Sequence, residues 1–399
     1  MKILIVSVDF PPHTDGVSTV SHELATRLVA FGEEVIVIGP SAKGDREYDS
    51  RQKFKVIRTP FYEFGYLRFI PIFLVMPFVI IRYRIKTVIA MNIAYGGIIS
   101  FLFSGLLGFS YVLWAYGYEF YKFKDNILMR ALYQKIYRKA QFVSAITDFV
   151  RGRLVEFGVS PEKIVVVKPG TDPEQYRPLK AESRFGNKKI ILSVGRLVER
   201  KGFDMVIKAM QAIKKRVPEA LYVLVGDGPY KDKLQLMAKE AGLGDAVQFA
   251  GRVSGDELAS FYNACEVFIM PSRTLDKKGD IEGFGIVYLE ANACGKPVIG
   301  GRDSGANEAI IDGKTGILVD PLSVSQISDA IVKCLNDVNF ARVLGENGRK
   351  RVIEEFNWDR SIKQFIKQGR FENVPKKDEN STTDKDIEAV GRGSSQKPS

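Results

Sequence analysis

The stretch "KGDIEGFGIVYLEANACGKPVIG" (residues 278–300) sets two glutamates, Glu282 and Glu290, on either side of a Gly-Phe-Gly turn. On one continuous helix, residues eight positions apart point about 80° away from each other. Gly283 and Gly285 separate them differently. They predict a turn, followed by a buried helix from Ile286 to Ala293 and a strand over "KPVIG". Glu282 then hangs in the loop ahead of the helix, and Glu290 sits one to two turns inside it. Both face the space above the helix start, where free backbone N–H groups and the helix dipole attract anions. Such a site suits a ligand with phosphate at its centre and hydroxyl groups at both ends.

The same alternation of short apolar strands and longer helical stretches runs outward in both directions. In the first half the strands read "KILIVSV", "EVIVIG", "FKVIRTP", "TVIAMN", "YVLWAYG", "FVSAIT" and "KIVVVK". After the turn-rich, charged "PGTDPEQYRPLKAESRFGNKK" the pattern restarts with "IILSVG", "LYVLVG", "VQFAG", "VFIMPS", "KPVIGG" and "TGILVD". Alternation of this kind predicts an α/β chain with parallel sheets wrapped by helices, and the restart predicts two of them, each doubly wound. The crevice at the carboxyl ends of the strands is the expected ligand site. The polar residues 371–399 are expected to form a disordered tail.

Two apolar stretches resemble membrane spans. "FIPIFLVMPFVII" (69–81) is too short and holds two prolines, and "IAYGGIISFLFSGLLGFSYVLWAYGY" (93–118) parses as a Gly-rich helix followed by a strand, so both are assigned to the globular fold. Cys265, Cys294 and Cys334 are widely spaced in apolar sequence, which predicts reduced core residues in a cytoplasmic protein. No signal peptide is evident.

The 399 residues carry a formal net charge of +11. From Lys43 to Lys86 ten Lys/Arg stand against four Asp/Glu, and from Lys122 to Arg153 eight stand against two, so the first half holds most of the excess. That distribution predicts a negatively charged partner, either nucleic acid or an anionic surface such as a membrane, and nucleic acid would account for the charge but for none of the glutamates.

Three further loops carry candidate chemistry. "DFPPHTDGVSTV" places Gly16 at a helix start where backbone N–H groups approach a phosphate, although an ordinary strand-to-helix turn fits the same residues. G-x-G-x-x-G is absent, which argues against a nicotinamide dehydrogenase. "SVGRLVERKGFD" offers Arg196 and Lys201 in one loop, a guanidinium fork beside a point charge, with solvated surface charge as the plain alternative. "GANEAI" adds a carboxylate, Glu308, and "VGDGP" (225–229) is given a structural role only. No Cys/His cluster exists, so no histidine or thiolate metal site and no cofactor is expected, while the triplet from Asp280 to Glu282 is similar to the acidic triplets that hold Mg²⁺ in some nucleotide-sugar enzymes.

In order along the chain, "PPHTDGVSTV", "PGTD", "SVGRLVERKGFD", "VGDGP", "MPSR", "EGFGIVYLEANACGKPVI", "GANEAI" with "DGKTGILVD", and "FNWDR" resemble the motifs of the family-4 retaining glycosyltransferases of the two-domain GT-B type. The resemblance covers roughly residues 1–370, and "MPSRTLDKKGDIEGFGIVYLEA" is most similar to the branch that includes phosphatidylinositol mannosyltransferases. It implies two Rossmann-like domains: an acceptor-binding domain over 1–170, a donor-binding domain over 171–355, and a helix over 356–370 crossing back. Glu282 would hold hydroxyls of the donor sugar, and Glu290 the 2′ and 3′ hydroxyls of the ribose, a role that suits an acceptor-only carboxylate. Gly283, Phe284 and Gly285 would line the donor diphosphate and sugar. Arg196 and Lys201 would neutralise the departing nucleoside diphosphate without a metal.

The chain departs from the family pattern at two places. Tyr116 in "WAYGYEF" stands where the family has a sugar-contacting histidine, and Asp15-Gly16 replaces its Gly-Gly. His13 lies beside the phosphate loop as a further possible sugar contact, and His22 is assigned to an exposed helix face. The implied reaction moves a hexose from a UDP-sugar or GDP-mannose, with retention, to a hydroxyl of a lipid-linked saccharide or glycolipid in cell-envelope polysaccharide synthesis, at the inner face of the membrane. A catalytically silent nucleotide-sugar-binding subunit and a nucleotide-sugar epimerase of the same architecture are the alternatives.

Overall fold

The computed structural model describes residues 1–13, 15–60, 67, 69–117, 119, 126–180, 184–253, 255–275, 282–302 and 305–368. The first sheet is built from β1 (Lys2–Val6), β2 (Glu34–Pro40), β3 (Lys55–Thr59), β4 (Thr87–Ala90), β5 (Ser110–Ala115), β6 (Val143–Ala145) and β7 (Ile164–Val166). The second holds β8 (Lys189–Val194), β9 (Ala220–Val225), β10 (Val247–Gly251), β11 (Val267–Met270), β12 (Val298–Gly301) and β13 (Gly316–Val319). The helices are α1 (Gly16–Ala30), α2 (Asp45–Ser50), α3 (Phe69–Tyr83), α4 (Ile98–Leu107), α5 (Ile127–Lys139), α6 (Asp148–Glu156), α7 (Phe203–Arg216), α8 (Lys231–Glu240), α9 (Gly255–Ala264), α10 (Ile286–Ala293), α11 (Ala306–Ala309), α12 (Val324–Asn336), α13 (Val338–Glu355) and α14 (Trp358–Gln368).

Strand order is β3-β2-β1-β4-β5-β6-β7 in one sheet and β10-β9-β8-β11-β12-β13 in the other, and the paired strands run parallel. Ile5 pairs with Val37 on one side and Ile89 on the other. Ile191 sits likewise between Tyr222 and Val267. Both sheets thus reverse their strand order beside their first strand, the switch point at which open α/β sheets bind ligands. This is the doubly wound α/β architecture expected from the sequence. The strands read as near-continuous apolar runs because helices cover both faces.

Residues 93–117 form a helix followed by a strand, as expected. A π-helical turn over Ile93–Gly97, capped by Asn92 Oδ1 accepting from Ala94 N at 2.7 Å, runs into α4 and then β5. Its glycine pair follows from close approach. A Cβ on Gly97 would lie 2.9 Å from Leu113 Cδ2, and one on Gly96 3.0 Å from Ala90 Cβ. The stretch 69–81 falls within α3, and no helix among the described residues is long and apolar enough to cross a membrane. The three cysteines are buried and free, and burial pushes each thiol up to about 12. The tail expected to be disordered lies outside the described residues.

His22 departs from its expected exposed position. Tyr48 and Phe54 cover it, Tyr48 Oη lies 2.5 Å from its Nδ1, and burial pulls its pKa down to about 4. The helical pattern of α1 predicts one apolar face (Val20, Leu24, Leu28), but α2 and the chain after it supply a second covering layer.

The chain passes between the two sheets twice at one place. Thr171 N donates to Phe356 O at 2.8 Å, and a Cβ on Gly170 would sit 2.7 Å from the Asn357 backbone. Beyond that contact α14 lies on the first sheet's domain. Phe365 is fully buried with its ring 5.2 Å from Trp114 and 5.4 Å from Phe142, Asp359 pairs with Arg27 at 3.0 Å, and Gln364 donates to Val166 O at 3.0 Å. The two tryptophans of the sequence, Trp114 and Trp358, both belong to this interface. Phe365→Ala therefore opens a cavity worth about 3–5 kcal/mol. Denaturant unfolding followed by tryptophan fluorescence should show an earlier midpoint by that amount, and an unchanged midpoint would mean that α14 contributes nothing to this domain.

Candidate functional site

The loop after β8 separates its two cations. Arg196 is exposed, whereas a 3-10 turn over Glu199–Lys201 carries Lys201 inward until it is 8% exposed. Gly202 makes this possible: its φ is +74°, and a Cβ there would lie 2.1 Å from Pro271 O. The "VGDGP" loop buttresses the turn, with Leu197 N donating to Asp227 O and Tyr230 N to Leu197 O, both at 3.0 Å.

Lys201 Nζ meets Glu282 Oε2 at 2.5 Å, and Arg200 Nε stands 3.8 Å from the same oxygen. Glu282 is 7% exposed. Burial alone would push its carboxyl up, but Lys201 and Arg200 overcome that and hold it below the usual carboxylate range. Gly283–Phe284–Gly285 then turn the chain into α10, whose span agrees with the helix read from the sequence. Gly285 has φ +90°, and a Cβ on it would strike the Tyr288 ring at 2.5 Å. Phe284 is buried with its ring 5.7 Å from Phe356. Glu290 lies within α10, and Tyr262 on α9 donates its hydroxyl to Oε2 at 2.6 Å. Burial pushes this carboxyl up to about 7, against the Tyr262 bond that lowers it. The two glutamates thus rest on different neighbours, one ion-paired and one beside a phenol.

The first domain closes over this loop. A Cβ on Gly283 would lie 2.7 Å from Ile146 Cδ1 and 2.9 Å from Tyr116 O, so the backbone after β5 abuts the Glu282 loop directly. Tyr116 is buried, and its N–H together with that of Gly117 is held by Glu119, at 2.9 and 2.8 Å. Burial pushes the Glu119 carboxyl up to about 7 despite these two bonds.

At the start of α1, Gly16 faces open space. Asp15 caps the helix by accepting from Ser18 N at 2.8 Å, so this N–H already has an anionic partner. Burial and then Asp9 push Asp15 up to about 6, with Arg196 pulling the other way. His13 precedes it, its carbonyl accepting from Ser18 Oγ at 2.5 Å, and burial lowers its imidazole pKa.

Lys201, Glu282, the Gly283–Gly285 turn and Tyr116, all singled out from the sequence, come together at one place, and the charge of Arg196 acts on Asp15, the neighbour of Gly16. Sequence reasoning did not assign Arg200, Tyr262 or Glu119. Tyr-Gly-x-Glu spacing was a signal for Glu119, while Tyr262 lies 28 residues before Glu290 on another helix and leaves none. Asp280, of the acidic triplet, lies outside the described residues. A cavity of about 830 Å³ opens beside the Glu199–Lys201 turn, lined among others by Phe149, Arg153, Glu199, Lys208, Arg273 and Arg302, but not by Lys201, Glu282, Glu290 or Tyr116. Among the described residues no group of three His, Cys, Asp or Glu side chains is placed to hold a metal ion.

Residues 14–175 match the family model described as Glycosyltransferase Family 4, and residues 177–351 the one described as Glycosyl transferases group 1. A GDP-mannose-dependent alpha-(1-6)-phosphatidylinositol monomannoside mannosyltransferase of Mycolicibacterium smegmatis is 31% identical over 89% of this chain and 95% of its own. The Mycobacterium tuberculosis enzyme of the same name is 30% identical over 90% and 95%. Among solved structures, sucrose-phosphate synthase of Thermosynechococcus elongatus superposes with a TM-score of 0.79 at 24% identity, covering 93% of this chain and 98% of that one. HepE of Anabaena, in complex with UDP and glucose, superposes at 0.78 and 20% identity over 92% and 98%. Two parallel α/β sheets, two consecutive family models and relatives matched over nearly their full length make this chain a member of the family 4, group 1 glycosyltransferases of the GT-B fold.

Proposed function

We propose that the protein transfers a mannosyl unit from GDP-mannose, with retention and without a metal, to a hydroxyl of a glycolipid or lipid-linked saccharide at an anionic membrane surface. The buried Lys201–Glu282 pair ahead of α10 carries this reading, and the GDP-mannose dependence of the relatives supports the choice of donor. Glu282, held ionised, accepts hydroxyls of the donor sugar. Lys201 has three N–H donors, so it serves Glu282 and a phosphate oxygen together. Arg196, exposed at the rim, closes on the outer phosphate. As the anomeric C–O bond breaks, its electrons pass to the diphosphate, the acceptor oxygen bonds to the same face, and its proton leaves on the diphosphate. No side chain is assigned as nucleophile.

Stabilisation of charge that grows in the transition state is worth on the order of 2.7–4 kcal/mol per strong contact, appearing in kcat. Lys201→Ala should therefore slow transfer by that amount at saturating donor, and Lys201→Arg, which keeps the charge, should retain more. Radiolabelled GDP-mannose offered with membrane extract, with UDP-sugars and EDTA as parallel arms, reads the result. Full activity of Lys201→Ala rejects the role, and strict dependence on Mg²⁺ rejects the metal-free route.

Glu290 supplies a pH signature. Its pKa in the free protein, about 7, stands above that of an ordinary carboxyl, so folding retains a proton that the unfolded chain has lost. The stability due to this group is present below the unfolded pKa and is lost as pH rises through about 7. Ribose hydroxyls donate to the ionised form, so nucleotide binding should expel the proton. Calorimetry of GDP binding at about pH 6 in two buffers of different ionisation heat should register proton release that Glu290→Gln diminishes. The variant should also lose about 1.5–3 kcal/mol of affinity. Equal proton release and equal affinity in the two proteins would remove Glu290 from the ribose.

The acceptor side rests on an exposed apolar face. Ile70, Leu74, Phe78 and Ile81 on α3 are 52–66% exposed, beside Leu102 and Leu106 on α4, and Arg82, Arg84 and Lys86 follow at the helix end. Alternate residues of α3 (Ile72, Met76, Val79) are core, so the helix is apolar all round and half of it lacks a protein cover. An apolar face edged by cations fits an anionic bilayer, each cation contributing about 1 kcal/mol. In flotation assays the chain should rise with anionic vesicles, less so in high salt. Changing Arg82, Arg84 and Lys86 to Gln should weaken this without altering GDP affinity, and a chain that stays at the bottom with both neutral and anionic vesicles has no docking surface.

A further inference from the structure

Glu308 takes no part in the chemistry described so far, yet it spans the two domains. Its Oε1 accepts from Phe149 N at 3.0 Å, at the start of α6 in the first domain, and its Oε2 lies 2.9 Å from Lys168 Nζ. Lys168 in turn reaches Asp148 at 3.3 Å. Burial alone would lower the lysine's pKa, but Glu308 and Asp148 hold it above the ordinary value, as a paired ammonium requires. A side chain of the second domain thus serves as an N-terminal cap for a helix of the first.

The start of α11, the four-residue helix that carries Glu308, holds Glu282. Gly305 N donates to Glu282 O at 3.0 Å, and a Cβ on Gly305 would lie 2.2 Å from Gly283 O. Arg351 on α13 clamps α11 from behind by donating to Glu308 O at 3.1 Å and Ala309 O at 3.0 Å. The helix is therefore packed directly against the backbone of Glu282 and Gly283. Its position is referred to the first domain through Glu308 and through the contact of Ile146 with Gly283.

We propose that Glu308 is a positioning residue that couples the approach of the two domains to the placement of Glu282. This rests on the reading that Glu282 receives the donor sugar. When the domains part, Glu308 and Lys168 lose each other and the Phe149 N–H loses its acceptor. Closure restores both contacts and fixes α11, so the sugar-binding carboxylate reaches its working position only when the acceptor domain is in place.

The test combines turnover with a measurement that needs no substrate. Glu308→Ala should lower kcat on the order of 10-fold to 100-fold, the scale expected for a misplaced reacting group. GDP affinity should stay within about twofold, because an offset of that size is less than 0.5 kcal/mol. Glu308→Gln retains an acceptor for Phe149 N and should recover part of the loss. Lys168→Ala should add little once Glu308 is Ala. Small-angle X-ray scattering of the unliganded chain should give a larger radius of gyration for Glu308→Ala than for wild type. Wild-type kcat in Glu308→Ala overturns the proposal, as does a kcat loss matched by an equal loss of GDP affinity, which marks a merely structural role. Identical scattering curves overturn the coupling whether or not the chain turns over a donor. A wild-type chain that transfers no sugar overturns the glycosyltransfer reading, and the scattering comparison still decides the coupling on its own.

Discussion

A buried ammonium 2.5 Å from a buried carboxylate, Lys201 against Glu282, sets the form of the site. Either charge alone in this place would be costly, and removing one partner of such a pair leaves a penalty of about 3–5 kcal/mol. The pair is tolerable only where the backbone delivers both groups at once. Gly202 turns one loop inward against Pro271, and Gly305 lets α11 press directly on the other. The two loops follow β8 and β11, neighbours in the second sheet, so the ion pair joins the ends of adjacent strands at the point where the strand order reverses.

Within eight residues the chain places two carboxyl groups in opposite electrostatic states. Glu282 stays ionised because Lys201 and Arg200 outweigh its burial, whereas burial pushes Glu290, bonded to the Tyr262 phenol, up to about 7. Environments that push two like groups apart in this way suit them to different work. The first is a permanent acceptor for hydroxyl groups. The second becomes an acceptor when its ligand arrives.

Much of this was legible before any coordinates. The strands of both sheets, the span of α10 and the loop position of Glu282 follow from apolar runs and glycine turns, which are local signals. Gly283 and Gly285 could be read as a turn, although the reason each must be glycine lies in Ile146, Tyr116 and Tyr288, residues that meet them only after folding. The rest was not local. Tyr262 reaches Glu290 from another helix, His22 acquires its cover from Tyr48 and Phe54, and Glu308 finds its partners 140 and 159 residues earlier in the chain. Such contacts depend on how layers stack and leave no period or spacing in the sequence.

The placement of α14 bears on how the chain is made. Phe365 fills the space between Trp114 and Phe142, so the domain that begins at the N-terminus is finished by residues close to the C-terminal end of the described chain. A chain emerging vectorially from the ribosome exposes that apolar seat throughout synthesis of the entire second domain. The earlier domain must wait, partly uncovered, for the later one. Native closure of the first sheet is therefore a late event in biogenesis, and any translational arrest before residue 365 leaves an apolar gap that invites aggregation.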